Sequence, residues 1–443
     1  MTNDSKFIFS GHTWSSEEGE ATFSYIIQHK NEEFTFREVI TFPVDGQVKN
    51  VPQELLKKTL DTLLLVLGMS YYKLFCPKEI ILNDIHLSKE QADFWNTVYT
   101  KGLGEFFYQN KLDFHNLISF PISGSTSTPI SFPRQDRCLV GIGGGKDSIV
   151  AGELLKELHK DFTAFVVNEH PIKEQTIELL GVESLVIKRE IDPQLLMLNK
   201  RDDVYNGHVP FSAFIAFISL FTALLYDYRY AIFANEESAS YGNVTYLGEE
   251  INHQWSKSLV FEDLFQQYVK TFVTPDVEYF SILRPFSEIA IAGRFARCPQ
   301  YFPVFSSCNK NFRITEKTDK RWCGECPKCA FTFLMLAAFL PKETVVGIFG
   351  QDLLAKESLV QTYKELLGVV AVKPFDCVGT PEEVTVAFSL VRRKNEYEGD
   401  VSMEFFTAVV LPKMTDIARL EDKVFALSTN HKIPKAFQEV LAK

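Results

Sequence analysis

The most constraining feature of the sequence is a dense run of glycines between a short apolar stretch and the polar start of a predicted helix. The segment extends from Cys138 to Val150 and reads Cys-Leu-Val-Gly-Ile-Gly-Gly-Gly-Lys-Asp-Ser-Ile-Val. Gly143, Gly144 and Gly145 lack a Cβ, so their backbone N–H groups can turn inward and approach an anion closely. The positive end of the following helix would face the same point. The pattern therefore predicts a phosphate-binding unit of strand, loop and helix.

Two common phosphate-binding motifs do not fit this segment. A Walker A loop would need a glycine at Val140 and a serine or threonine at Asp147. A dinucleotide-binding fingerprint would need a glycine at Lys146. An ordinary glycine-rich turn is the remaining alternative, and the Lys-Asp-Ser start of the helix disfavours it.

Length and charge limit the remaining possibilities. A chain of 443 residues predicts two or three domains. Its 46% hydrophobic and 23% charged residues are typical of a soluble globular protein. The net charge is -11 and there is no lysine-arginine tract, which disfavours nucleic acid as the main partner. We therefore expect a small-molecule substrate.

The sequence also indicates a cytoplasmic protein without a membrane segment. The first residues lack the apolar core of a secretory signal. The most apolar run, from Val209 to Tyr226, contains Pro210 and hydroxyl side chains, so we expect a buried helix rather than a membrane span. Eight cysteines in a chain without a signal indicate a reducing compartment.

The N-terminal part reads as a small α+β cap domain over residues 1–120. Residues 6–43 alternate with period two, which predicts an antiparallel meander. Leucines then recur at helical spacing from Gln53 to about Leu74, and Ser88 is the predicted N-cap of a second helix. A stretch rich in proline, serine and threonine at 121–136 is the predicted linker.

Residues 137–305 read as an α/β domain with a doubly wound parallel sheet. Buried-type strands are predicted at 138–142, 162–167, 185–187 and 230–234, with helices between them. Ligands bind at the carboxyl ends of such strands. Polar residues follow two of the predicted strands, namely Asn168, Glu169, Asn235 and Glu236. Residues 331–443 are predicted to be mainly helical.

A cysteine cluster over 306–330 predicts a metal site. Cys323, Cys326 and Cys329 have Cys-x2-Cys-x2-Cys spacing, and Cys308 can complete a tetrahedron of thiolates. Zinc in a structural role is the expected metal, and an iron–sulfur cluster is the alternative with the same ligands. The remaining cysteines are predicted to be buried apolar residues: Cys76, Cys138, Cys298 and Cys377.

The glycine segment resembles the Ser-Gly-Gly-x-Asp-Ser loop of the PP-loop ATP pyrophosphatase superfamily, with Gly143 in place of the first serine. Superfamily members with cysteine-bound zinc include 7-cyano-7-deazaguanine synthase. A closer resemblance, along the whole chain, is to the UDP-N-acetyl-α-D-muramoyl-L-alanyl-L-glutamate epimerase family. It is carried by the segments 143–148, 207–210, 234–240, 252–258, 283–288, 307–313, 322–329 and 373–377.

This resemblance implies an adenine-nucleotide α-hydrolase-like fold and an ATP- and magnesium-dependent epimerase of peptidoglycan precursor synthesis. Such an enzyme inverts the terminal L-glutamate of UDP-MurNAc-L-Ala-L-Glu through an acyl-adenylate, releasing AMP and diphosphate. Two alternatives remain. One is a PP-loop ligase or modification enzyme that adenylates a deazapurine or tRNA base, and the other is a non-catalytic nucleotide-binding scaffold.

Residue roles follow from the implied reaction. The glycine amides of the loop, Lys146 and Ser148 are expected to hold the ATP phosphates, and Asp147 to bind magnesium or cap the helix. The cations expected to bind a substrate carboxylate or the UDP phosphates are Lys257, Arg284 and Arg313. The proton-transfer base is left open among His208, Glu236, Glu237, His253 and Cys298. The oligomeric state is also left open.

Overall fold

The computed structural model describes residues 5–44, 48–124, 127–312, 320–370 and 372–442. Its main feature is a nine-stranded sheet, accompanied by a separate two-stranded hairpin. The strands are β1 (Ser5–Ser15), β2 (Glu20–His29), β3 (Glu32–Thr41), β4 (Glu79–Leu82), β5 (Cys138–Gly141), β6 (Phe162–Val167), β7 (Ser184–Glu190), β8 (Tyr230–Phe233), β9 (Val244–Tyr246), β10 (Glu249–Ile251) and β11 (Glu278–Ser281).

Helices cover the sheet and form most of the C-terminal part. They are α1 (Gln53–Leu67), α2 (Met69–Tyr72), α3 (Lys89–Gly102), α4 (Gly104–Gln109), α5 (Lys146–Glu157), α6 (Pro171–Leu180), α7 (Pro193–Leu198), α8 (Phe211–Tyr226), α9 (Leu259–Tyr268), α10 (Glu288–Phe295), α11 (Pro327–Ala337), α12 (Lys342–Phe349), α13 (Val360–Leu366), α14 (Pro381–Lys394), α15 (Val401–Phe405) and α16 (Ile417–Phe425). The mainly helical character predicted for the C-terminal region is confirmed.

The predicted N-terminal meander is confirmed. β1, β2 and β3 pair antiparallel, and alternate side chains of β1 and β2 are buried, as a period of two requires. The register of β1 with β2 shifts between Phe9 and Gly11, which marks a bulge within β1. β4 pairs in parallel with β1 and was not predicted from the sequence, since it is only four residues long.

Five parallel strands form the other half of the sheet, in the spatial order β11-β8-β5-β6-β7. The chain proceeds from β5 outward through β6 to β7 and then returns to place β8 on the other side of β5. The order in which the chain adds strands to the sheet therefore reverses between β5 and β8. In sheets of this kind, the crevice outside the carboxyl ends of the two strands at the reversal is where ligands bind.

The N-terminal strands and the parallel strands share one sheet. β3 pairs antiparallel with β7, from Val39 opposite Glu190 to Thr41 opposite Lys188. One hydrophobic cluster also includes both halves, from Phe7 in β1 to Phe165 in β6. The segments before and after the predicted linker at 121–136 therefore contribute strands to one continuous sheet.

The apolar segment predicted as a buried helix is α8. Its side chains from Ala213 to Tyr226 are almost all buried, and it packs against α1. The hydroxyl groups of Ser219 and Thr222 donate to the carbonyls of Ala216 and Ile218 at 2.8 and 2.7 Å, which satisfies them inside the core. Among the helices of the described ranges, none is long and apolar enough to cross a membrane.

Candidate active site

A cavity of about 450 Å³ lies at the carboxyl ends of β5 and β8. This volume is within the range of small-molecule sites. A larger cavity of about 900 Å³ lies at the opposite ends of the same strands, where Asp136 and Phe162 are found. The order reversal of the sheet and the glycine loop in its wall both favour the smaller cavity as the functional one.

The glycine loop forms one wall of this cavity. Gly143 and Gly145 line it, together with Asp147 and Ser148 at the start of α5. Gly144 has a φ of +82°, and a Cβ there would lie 2.6 Å from the Cγ2 of Ile172. Glycine is therefore required at this position both for conformation and for space. The Ser148 hydroxyl donates to the Gly145 carbonyl at 3.0 Å, which stabilises the start of the helix.

Lys146 does not face the cavity, contrary to the expectation that it holds the ATP phosphates. Its side chain is 0% exposed and forms ion pairs with Asp147 and Glu288 beneath the loop. Burial lowers the pKa of the ammonium, but the two carboxylates outweigh burial and hold the pKa above its ordinary range. As the first residue of α5, Lys146 points toward α10, so it stabilises the loop from behind.

The buried ion group continues from Lys146 into the C-terminal helices. Glu288 lies 3.6 Å from the ammonium of Lys328, and the backbone N–H of Glu288 donates to Glu383 at 2.6 Å. Burial raises the pKa of both glutamates. Lys328 also lines the cavity, so this ion group connects the loop to another part of the cavity wall.

A second wall contains Cys377, which the sequence predicted to be a buried apolar residue. The structure contradicts this, because Cys377 lines the cavity and accepts a hydrogen bond from Lys257 Nζ at 3.3 Å. Burial alone would raise the pKa of the thiol. Lys257 and His253 outweigh burial, and the pKa is lowered to about 5. These two cations therefore favour the thiolate form of Cys377.

His253 connects this thiolate to Glu105 at the start of α4. Its Nδ1 lies 2.5 Å from Glu105 Oε2. Burial favours the neutral ring, but hydrogen bonds to Cys377 and Glu105 outweigh burial and raise the pKa of His253 to about 10. His208 Nδ1 lies 3.4 Å from the same oxygen. Burial and the charge on His253 lower the pKa of His208, so it is the neutral ring of the two.

The remaining base candidates are distributed differently. Glu236 is buried next to the site, at 2% exposure, but it is not part of the cavity wall. Glu237 is exposed at the start of a short 3₁₀ helix. Cys298 lies after α10, with its thiol directed to the Arg294 carbonyl at 3.8 Å. Of the five candidates, the structure brings only His208 and His253 into the cavity.

Of the two predicted substrate cations that lie within the described ranges, Lys257 lines the cavity and Arg284 does not. Arg284 is 1% exposed, and its guanidinium donates to Glu262 at 2.8 Å and to the carbonyls of Glu236 and Lys257 at 2.6 Å each. Its donors are thus used to hold the segments that carry Glu236 and Lys257. Arg313 lies outside the described residues, so its role stays a prediction.

Sequence reasoning missed Lys173, Lys328 and Glu105. Lys173 lines the cavity and donates to the carbonyls of Val167 and Asn168 at 2.8 and 3.0 Å. Burial lowers the pKa of Lys173 to about 8. Lys328 could have been found from the sequence, because it lies between two of the clustered cysteines. Cys377 could also have been found from the sequence, because it ends one of the segments that carry the family resemblance. No local pattern distinguishes Glu105 or Lys173.

Polar residues predicted at the strand ends have separate roles. Asn235 lines the cavity after β8. The Asn168 side chain instead bonds the backbone of Arg189 in β7, accepting at 2.7 Å and donating at 3.1 Å. Glu169 is exposed. Asn168 thus closes the end of the sheet, as a residue with a left-handed backbone (φ 58°) commonly does.

The four predicted metal ligands converge. The sulfurs of Cys308, Cys323, Cys326 and Cys329 lie within 4.8 Å of one another. Cys329 Sγ is 3.6 Å from Cys323 Sγ and 3.5 Å from Cys326 Sγ. The cluster adjoins the cavity, because Ser306 donates its backbone N–H to the Gly144 carbonyl at 3.1 Å.

Together, these features define a mixed α/β protein with a largely parallel sheet, a charged cavity at the strand-order reversal and a four-cysteine cluster beside it. Two protein-family models match this chain. A model of the MurL N-terminal domain matches residues 1–282, and a model of the MurL C-terminal domain matches residues 304–420.

Three relatives carry the name UDP-N-acetyl-alpha-D-muramoyl-L-alanyl-L-glutamate epimerase. The protein from Micromonospora sp. is 37% identical over 440 residues, covering 98% of this chain and 97% of the relative. That from Xanthomonas oryzae pv. oryzae is 37% identical over 86% of this chain and 85% of its own length. That from Salinispora tropica is 38% identical over 87% and 84%. The chain therefore belongs to the MurL family, which confirms the resemblance seen in the sequence.

Proposed function

We propose that the chain catalyses ATP-dependent epimerisation of the terminal L-glutamate of UDP-MurNAc-L-Ala-L-Glu to D-glutamate, with release of AMP and diphosphate. The observation that carries the proposal is that the glycine loop and a set of thiol, imidazole and ammonium groups line one cavity. An enzyme that activates a carboxylate and then moves the adjacent proton needs both sets of groups at one substrate. Family membership supports the choice of this substrate over a deazapurine or tRNA base.

The glycine loop is the proposed ATP site, and a PP-loop type of fold is part of the proposal. The phosphates would lie against the N–H groups of Gly143 and Gly145 and the positive end of α5, with the Ser148 hydroxyl nearby. Asp147 faces the cavity and would hold Mg²⁺, which would neutralise charge on the departing diphosphate. Lys146 would act indirectly, since it fixes Asp147 from below.

Adenylation explains why an epimerase would use ATP. The α-proton of a carboxylate is very weakly acidic, because its removal would put a second negative charge on the same group of atoms. Transfer of AMP to the carboxylate removes the first charge and makes the carbonyl a better electron acceptor. A modest base then suffices, and water finally releases AMP. Lys257 and Lys328 would bind the substrate carboxylates or phosphates in the cavity.

The four cysteines are the proposed site of a structural zinc ion. Sulfurs bound to one zinc at about 2.3 Å in a tetrahedron would be separated by about 3.8 Å. The separations of 3.5 and 3.6 Å are close to this value. Four thiolates leave no open coordination position, which argues for a structural role. We place the enzyme in the cytoplasm, where peptidoglycan precursors of this kind are made, with small molecules and not nucleic acid as its partners.

A direct assay tests the proposed function. Purified protein is incubated with ATP, Mg²⁺ and UDP-MurNAc-L-Ala-L-Glu, and the chirality of glutamate after hydrolysis is measured together with the nucleotide products. We expect D-glutamate with AMP and diphosphate. Formation of ADP, or an unchanged chirality, would contradict the proposal.

A matched pair of variants connects the activity to the cavity. Asp147→Asn should lower substrate-dependent diphosphate release by at least about 100-fold, because it weakens magnesium binding at the loop. Asp161→Asn is the control, since Asp161 lines the larger cavity at the other end of the strands. Equal losses in both variants would argue against the loop as the ATP site.

A further inference from the structure

Cys377 is held in the cavity wall by contacts to its own backbone and to that of its neighbours. Lys328 Nζ donates to the Cys377 carbonyl. On one side of it, the Asn243 side chain donates to the Pro374 carbonyl at 2.7 Å, and on the other the Gln254 side chain donates to the Val378 carbonyl at 3.4 Å. A loop fixed in this way points its thiol in a defined direction, which a packing cysteine would not need.

The surroundings of the thiol are those of a reactive cysteine. Lys257 Nζ lies 3.3 Å from Sγ, and His253 is the hydrogen-bonded imidazole. Because His253 Nδ1 is directed to Glu105, its Nε2 is the nitrogen left for Cys377. The charged and titratable groups around the thiol, from every segment packed against it, are Lys257, His253, Lys328, Lys373, Asp376 and, through His253, Glu105.

The Glu105–His253 contact is a hydrogen bond rather than a pair of ligands to a shared ion. Two ligand atoms at about 2.0–2.1 Å from a tetrahedral metal ion are separated by about 3.3 Å. The observed separation is 2.5 Å, which is too short for two ligands of one ion and is the close contact of a directly hydrogen-bonded pair. Glu105, His253 and Cys377 therefore form a series in which the carboxylate orients the imidazole and the imidazole stabilises the thiolate.

We propose that the Cys377 thiolate is the base that removes the α-proton of the terminal glutamyl residue, with Lys173 as the acid that returns a proton to the opposite face. This assignment rests on the proposed function, because it needs the adenylated carboxyl group. The C–H bond breaks, an S–H bond forms and the electron pair moves to the acyl oxygen. Reprotonation of the same carbon by the Lys173 ammonium restores the carbonyl, so no atom is oxidised or reduced.

The fold places these two groups on different sides of the loop. Lys173 lines the cavity from the end of β6, where it contacts the Val167 carbonyl. Cys377 lies against Lys257 and His253, which belong to segments that follow β8. In the sheet β5 lies between β6 and β8, so the glycine loop that follows β5 separates the two groups. An inversion needs proton transfer at opposite faces of one carbon, and for this reason we assign the two transfers to groups on the two sides of the loop.

Substrate binding would strengthen the base. In the free protein Lys257 and His253 stabilise the thiolate, which makes it a weak base. A substrate carboxylate or phosphate that pairs with Lys257 would take part of this stabilisation away, because the ammonium would then share its charge with a second anion. The thiolate becomes more basic only when substrate is present, which suits a group that would otherwise react with other electrophiles.

Separating the two half-reactions tests the assignment. Adenylation is followed by exchange of labelled diphosphate into ATP, and proton transfer by α-deuterium incorporation in D₂O. We expect Cys377→Ala to lower α-deuterium incorporation and epimerisation by about 100-fold or more while diphosphate exchange stays near the wild-type rate. Cys377→Ser preserves the shape of the side chain and should show the same separation. Cys298→Ala is the control, because this thiol lies outside the cavity and should retain both activities.

Each outcome has a distinct meaning. If the wild-type protein shows no diphosphate exchange with UDP-MurNAc-L-Ala-L-Glu, the proposed function fails. If the wild-type protein is active and Cys377→Ala keeps its α-deuterium incorporation, the assignment of the base is overturned. A thioester between substrate and Cys377, detected by mass spectrometry after acid quenching, would make the thiolate a nucleophile and would also overturn the assignment.

Alkylation gives a readout independent of turnover. The rate at which iodoacetamide modifies Cys377, followed by peptide mass spectrometry against pH, should have a midpoint near the lowered pKa of about 5. Lys257→Met should move this midpoint upward, because it removes the closest cation. A wild-type midpoint near the ordinary value of 9 would contradict the thiolate.

Discussion

The two walls of the cavity are built in different ways. The loop wall comes from one contiguous stretch, in which a strand, three glycines and a helix start are adjacent in the sequence. The other wall, around Cys377, combines side chains from α4, from the segment before α9, from α11 and from the loop before α14. A contiguous wall suits binding of a nucleotide by main-chain groups, whereas an assembled wall can place reactive side chains that no local segment could bring together.

The buried ion group beneath the loop connects these walls, so its disruption should have the largest effect. Lys146→Met leaves the Glu288 carboxylate without its closest cation and should destabilise the protein by about 3–5 kcal/mol. Lys156→Met is the control on the same helix. Its partly exposed pair with Glu153 at 3.2 Å should contribute less than about 1 kcal/mol. Urea unfolding measures both, and equal effects would mean that the ion group does not connect the walls.

The cysteine cluster lies behind both walls, and its disruption should have the second largest effect. Cys326→Ser should lower bound zinc and destabilise the fold by on the order of 3 kcal/mol, with weaker ATP binding because the Ser306–Gly144 contact loosens. Cys298→Ser is the control, and this variant should retain the metal of the cysteine cluster. Metal analysis with thermal melting tests this. A variant that loses metal but keeps full stability would contradict a structural role.

The loop wall alone can be disturbed at a single glycine. Gly144→Val combines backbone strain with a clash against Ile172 and should weaken ATP binding by about 2 kcal/mol, roughly 30-fold. Gly143→Ser is the matched control, because a Cβ there has no atom within 4 Å and its φ lies outside the left-handed region. Calorimetry with ATP should separate the two variants. Similar losses in both would mean that the loop conformation is not what binds the phosphates.

The smallest effect on the free energy of unfolding is expected for a substitution at Glu105, and this effect depends on pH. Because the pKa of His253 is raised to about 10 in the folded protein, the charged ring stabilises the fold fully below its ordinary value of 6.5, and this stabilisation is lost as the pH rises through about 10. Glu105→Gln removes the charge of one partner. It should lower the unfolding free energy by about 1 kcal/mol near pH 6, and the difference should narrow toward pH 10. A constant difference across this range would contradict the ion pair.

Local patterns predicted the elements of this protein well. The period-two strands of the meander, the buried α8 and the clustered cysteines are confirmed, because each depends on residues close together in the chain. The pairing of β3 with β7 was not predicted, since edge-to-edge contacts between distant strands leave no periodic signal.

The site was predictable only in part, for the same reason. Sequence reasoning identified the loop, but it directed Lys146 into the cavity, whereas the geometry of the first helical turn buries this side chain against Glu288. It predicted Cys377 to be a buried apolar residue, because the histidine and lysine that surround the thiol lie more than 100 residues away in the sequence. Glu105 and Cys377 are separated by more than half of the chain, and only the fold brings them to the same histidine.

We propose that carboxylate activation and proton transfer occur in one cavity and in that order. The most direct measurement is α-deuterium incorporation into UDP-MurNAc-L-Ala-L-Glu by the wild-type protein in D₂O, with ATP and with an analogue whose α–β bridging oxygen is a methylene group. We predict incorporation with ATP and none with the analogue, which binds but cannot transfer AMP. Incorporation with the analogue, or without any nucleotide, would show that proton transfer does not depend on adenylation, and the proposed order of steps would be wrong.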